Sequence, residues 1–209
     1  MKLFKLLFVI LLCTMLFSAA FAEDGFHSEF GYLPPELPES SGLTAGRLNE
    51  LISRIDEETL PPSHRLRRLY EWMMTRYRFA ADDPCSGDEQ DQETVSSCLI
   101  GIVLSSDAGD SGFALLSHYL LDRMGFPSVI ISGELTLPDG QTEAHRWNYV
   151  FYSEKWYHFD PLGEMRNPDL NGFMNVEKDL AGGPLAWDRD SIPESAQYAV
   201  RVIGCSRDF

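Results

Sequence analysis

Residues 144–160 read AHRWNYVFYSEKWYHFD. Two runs rich in aromatic and β-branched residues flank Ser153-Glu154, so the pattern predicts strands over 144–152 and 155–160 joined by a two-residue turn. Such a turn pairs residue 152 with 155, and every further pair of residue numbers sums to 307. His145, Trp147, Tyr149 and Phe151 then point to one face of the first strand; Trp156, His158 and Asp160 share a face of the second. In this register Asp160 is the diagonal neighbour of His145, ~7–8 Å away and within side-chain reach. A carboxylate so placed can hold an imidazole by its ring N–H.

Working upstream, Asp107-Ala108-Gly109-Asp110 is turn chemistry. Behind it Ser111–Met124 reads as an apolar helix ended by Gly125 and Pro127, with Asp110 as its cap. Ser128–Thr136 is rich in Val and Ile and reads as a strand, followed by the turn Pro138-Asp139-Gly140. A side chain at the helix start, a His and an Asp reproduce the nucleophile, base and orienter of a catalytic triad. Gly109-Asp110-Ser111-Gly112 fits neither common serine-hydrolase pattern. The trypsin-like order needs its His and Asp before the Ser, where the chain offers His27 and His64. The α/β-hydrolase elbow needs Gly where Phe113 stands.

The rest of the chain supplies helices first and strands afterwards, an α+β order. Thr44 caps a helix whose apolar face is Leu48, Leu51, Ile52 and Ile55. Leu66, Leu69, Tyr70, Met73 and Tyr77 place a second helix over 64–77. Residues 81–94 read as a polar surface loop, and Cys98–Leu104 is apolar without a decisive period. Gly172, Gly182-Gly183 and Pro184 break the tail into loops, and Tyr198–Cys205 alternates like a last strand. Asn167-Pro168-Asp169-Leu170-Asn171-Gly172 begins like a calcium loop, but its twelfth position is Lys178, so it reads as a turn. The sequence gives no metal site and implies no cofactor.

Taken together, Gly109-Asp110-Ser111-Gly112-Phe113-Ala114, Gly125-Phe126-Pro127, His145-Arg146-Trp147-Asn148 and Trp156-Tyr157-His158-Phe159-Asp160-Pro161 resemble the transglutaminase-like domain of the papain-like superfamily. The resemblance spans 64–193 within a domain read as 44–209. It implies a central helix packed on an antiparallel sheet and a Cys-His-Asp triad. Carried over by position, His145 is the base, Asp160 its orienter, and Ser111 stands where the Cys belongs. Trp147 and Asn148 are the substrate-binding candidates. Members cross-link or deamidate glutamine, cleave peptides, or have lost activity. A hydroxyl does not ionise as a thiol does beside His⁺ and a helix N-terminus. Two expectations follow: a silent or weak domain that binds a protein or peptide, or a Ser111-His145-Asp160 acyl hydrolase or transferase.

Charge and export complete the reading. Over 209 residues, 17 basic side chains face 32 acidic ones, a formal charge of −15. This excludes a nucleic-acid backbone as partner, which needs clustered cations, and argues against an anionic membrane surface. Lys2 and Lys5, the apolar run Leu6–Phe17 and Ala20-Phe21-Ala22 form a secretory signal over 1–22, after which no membrane insertion is expected. Residues 23–43, with Pro34-Pro35 and Pro38, read as an extended arm. The expectation is a secreted or cell-envelope protein, in a compartment that permits disulfides. Cys85, Cys98 and Cys205 are the candidates; Cys85–Cys98 and Cys98–Cys205 both remain open.

Overall fold

A computed structural model describes residues 42–83, 85 and 92–202. The proposed signal, nearly all of the arm and Cys205 lie outside the described residues. Three helices come first: α1 (Gly42–Ile55), α2 (Pro62–Arg76) and α3 (Gln92–Ser105), with the short strand β1 (Arg78–Phe79) between α2 and α3. β2 (Asp107–Ala108) pairs with β1 in parallel. Then follow α4 (Asp110–Arg123), β3 (Ser128–Thr136), β4 (Thr142–Tyr152) and β5 (Lys155–Phe159). The tail adds α5 (Pro161–Arg166), β6 (Phe173–Asn175), α6 (Glu177–Leu180) and β7 (Leu185–Trp187). The five larger strands form one antiparallel sheet in the order β6-β5-β4-β3-β7.

α4 is buried from Gly112 through Leu121 without a break. A helix apolar all round has no solvent face to offer, and α4 accordingly packs against both β4 and β3. Leu48, Ile55, Leu66, Leu69, Met73, Leu99 and Ile102 from α1–α3 are fully buried, and α3 packs on α4. Each such aliphatic side chain contributes about 1.5–3 kcal/mol. Cys98–Leu104, undecided in sequence, is the body of α3.

The β4–β5 hairpin has the register its turn dictates: Tyr152 pairs with Lys155, Val150 with Tyr157 and Asn148 with Phe159. Ser153 and Glu154 carry φ of 52° and 63°, the left-handed pair that matches strand twist in a two-residue turn. Two expectations fail. Tyr198–Val202 is not a strand, and the sheet is completed by β6 and β7 from the tail read as loops. Each is three residues long, too short for alternation to announce. Among the described residues no helix is long and apolar enough to cross a membrane.

Candidate functional site

The hairpin sets the site. β5 ends at Phe159, and Asp160 becomes the N-cap of α5, its Oδ1 accepting from the Gly163 N–H at 2.8 Å. That bond turns Oδ2 toward His145, whose Nε2 lies 2.9 Å away. The His145–Asp160 pairing expected from the register is therefore present, with both residues 1% exposed. Tyr70 of α2 steadies this corner from behind. Its hydroxyl lies 2.6 Å from Glu164 Oε2 and 3.0 Å from the Asp160 carbonyl oxygen. Burial, and then the Glu164 charge, push the Tyr70 hydroxyl pKa well up, so it stays a donor.

The other ring nitrogen of His145 does not meet Ser111. Nδ1 is hydrogen-bonded to Asp110 Oδ1. Ser111 Oγ accepts instead from Arg146 Nη1 at 3.4 Å, and its N–H donates to Asp83 Oδ2 at 2.7 Å. The reason is rotational: successive helix residues are turned by ~100°, so only one of 110 and 111 can face a given neighbour. Asp110, one residue before the Ser111 expected at the nucleophile position, is thus the residue on His145 Nδ1, and it is not the helix cap that the local pattern suggests. Gly109 is the N-cap residue, Asp110 begins α4, and Asp83 supplies the capping carboxylate.

With a carboxylate at each ring nitrogen, His145 is held as imidazolium. Burial pulls its pKa down, but the charge of Asp160 and the hydrogen bonds to Asp110 and Asp160 outweigh it and push it up to about 9. Trp147 stacks on the ring, 15° from parallel with centroids 5.6 Å apart. The ion network runs on through Arg166, which lies 3.5 Å from Asp110 Oδ2, pairs with Glu143 and sits 4.0 Å over the Phe79 ring. Asp83 and Arg166 were not singled out in the sequence, and Asp110 and Tyr70 were read only as a helix cap and a helix-face residue. Asp110 was within reach, since it stands one residue from the position that was chosen.

Trp147 and Asn148, the substrate-binding candidates, are 1% exposed. The Trp147 indole N–H donates to His158 Nδ1 at 2.9 Å, and Asn148 Nδ2 donates to the Ala114 carbonyl at 3.0 Å. They tie strand to strand and strand to α4. Cys85 and Cys98 form a disulfide, one of the two pairings left open. Among the described residues no group of three or more His, Cys, Asp or Glu is placed to hold a metal ion.

The site is thus an ion-paired imidazolium at a helix start. It has the charge pattern of a thiolate–imidazolium pair, with a carboxylate in place of the sulfur. No curated protein matches the chain. Solved structures similar to it include a "TGase" (15% identity, TM-score 0.47, covering 61% of this chain and 34% of that one). Another is the periplasmic domain of TgpA from Pseudomonas aeruginosa bound to ethylmercury (16%, 0.46, 69% and 50%). A third is a candidate cysteine protease from Cytophaga hutchinsonii (13%, 0.41, 56% and 37%). This chain spans half or less of each of them. The sequence profile described as transglutaminase-like superfamily matches residues 49–161. That match covers more than half of the chain and runs from α1 through His145 to Asp160, so the protein belongs to the transglutaminase-like superfamily.

Proposed function

We propose that this is an exported, catalytically silent transglutaminase-like domain that binds a protein or peptide. The observation that carries the reading is Asp110 on His145 Nδ1. A carboxylate is a poor nucleophile toward amides, and an imidazolium with a pKa of about 9 has no lone pair with which to act as a base at neutral pH. The Ser111 hydrolase loses its footing for the same reason: no free ring nitrogen is turned toward Ser111 Oγ. Export rests on the leader over 1–22. Binding rests on the rim, where Phe79 is 38% exposed and the Glu143 side chain 43%. On a chain of charge −15, such a rim favours a basic peptide.

The test has two arms. A fluorophosphonate probe should leave the wild type unlabelled, and labelling that disappears in Ser111→Ala would overturn silence. Binding of basic peptides to an array should fall at least tenfold in Phe79→Ala. An array blank with wild type would overturn the binding reading and leave silence standing.

A further inference from the structure

We infer that the Cys85–Cys98 disulfide closes a cap over the N-terminus of α4, so that this helix end is sealed only in the oxidised chain. Asp83 joins the two. Its Oδ1 accepts from the Cys85 N–H at 3.0 Å and its Oδ2 from the Ser111 N–H at 2.7 Å. The carboxylate is held by residue 85 at one oxygen and caps α4 with the other, 28 residues along the chain. A helix leaves its first N–H groups without internal partners, and here an acceptor from a distant segment supplies one of them.

The fit extends to the sulfur. A Cβ on Gly112 would stand 3.2 Å from Cys85 Sγ and 2.9 Å from Ile102 of α3, and a Cβ on Gly109 would run into the Asp83 side chain. The two glycines of Gly109-Asp110-Ser111-Gly112 therefore make room for Asp83 and Cys85. They are not a nucleophile turn. Up to Ala80 the segment is tied to β2 by its N–H on the Ala108 carbonyl at 2.9 Å. Beyond it Ala81 and Asp82 are exposed and Asp83 is half-buried, and the covalent link from Cys85 to α3 fixes where Asp83 stands. Closure is thiol–disulfide exchange: Cys85 and Cys98 lose two protons and two electrons, and an external disulfide such as oxidised glutathione takes them and leaves as two thiols. Cys85 and Cys98 are 5% and 7% exposed, so the closed form is shielded from thiols. That suits a step made once, in an oxidising compartment. The inference does not depend on peptide binding.

Amide hydrogen exchange on the full chain tests it, comparing protein refolded with oxidised glutathione, protein refolded and kept in a phosphine reductant, and the C85S/C98S pair. The Ser111 amide should exchange at least tenfold faster in the last two, while Leu120, in the middle of α4, keeps its protection. D83A should reproduce the Ser111 effect with the disulfide intact by mass mapping. Equal Ser111 protection in oxidised and reduced chains, or in D83A and wild type, overturns the inference. So does loss of Leu120 protection in both the reduced chain and the C85S/C98S pair, since the disulfide would then hold the whole fold and not the cap.

Discussion

Asp110 and His145 meet where the first turn of α4 abuts β4, carboxylate oxygen on ring Nδ1, and Asp160 holds the opposite nitrogen at 2.9 Å. The helix and the sheet are therefore joined at the site by one imidazolium between two carboxylates. A thiol at position 110 would face the same ring nitrogen.

Asp110→Cys should accordingly acquire a reactive thiol. Its pKa should fall below the free value of ~8.5, because His145 and the start of α4 both favour the thiolate. Ser111→Cys should not, since position 111 looks toward Arg146 with its N–H already on Asp83. Iodoacetamide alkylation against pH, with the other cysteines mapped by mass, separates the two. The Asp110→Cys pKa should climb back in His145→Ala. Equal titration of the two thiols would refute the assignment of the facing position.

Stability should peak near neutral pH. His145 has its folded pKa raised from 6.5 to about 9, so its contribution, on the order of 3 kcal/mol, is complete below pH 6.5 and is lost as pH rises through 9. His158 behaves oppositely. Burial, with a smaller push from Arg189, lowers its pKa to about 3, and its Nδ1 must stay unprotonated to accept from Trp147. Between pH 6.5 and 3 the unfolded chain binds a proton the folded chain refuses, so stability falls as pH drops through that window. Urea midpoints measured from pH 4 to 10 should decline on both sides, and His145→Ala should flatten the alkaline limb.

Removing the carboxylates should cost stability, in a definite order. Asp160 is 1% exposed, and Asp160→Ala leaves a buried imidazolium short of a partner, at about 3–5 kcal/mol. The Asp110 side chain is 22% exposed, where water softens the loss, and Asp110→Ala should cost about 1–3 kcal/mol. Inert substitutions at a working active site are commonly neutral or stabilising. A rise in urea midpoint for either variant would speak against a structural ion pair.

The hairpin turn can be improved. Ser153 and Glu154 both hold left-handed φ, which asparagine and glycine adopt at less cost. The pair Ser153→Asn, Glu154→Gly should raise stability by about 0.5–1 kcal/mol, read as a higher thermal midpoint with the β4–β5 register unchanged.

The sequence by itself determined the parts governed by short-range geometry. A two-residue turn leaves one register open to β4 and β5, and that register brings Asp160 to His145. The stretch Ser111–Met124 read as an apolar helix, and the family resemblance implied that it is the central one. Tertiary structure decided what depends on rotation and on distant segments. Asp110 and Ser111 are adjacent in the chain but ~100° apart around the helix, so the docking angle of α4 on the sheet chose which of them faces His145. Asp83, 28 residues upstream, took the helix-cap role that local pattern gave to Asp110. Cys98 went to Cys85 because α3 and the residue-83 segment meet at Gly112. β6 and β7 are strands because β5 and β3 offer them open edges, which three residues of sequence cannot announce.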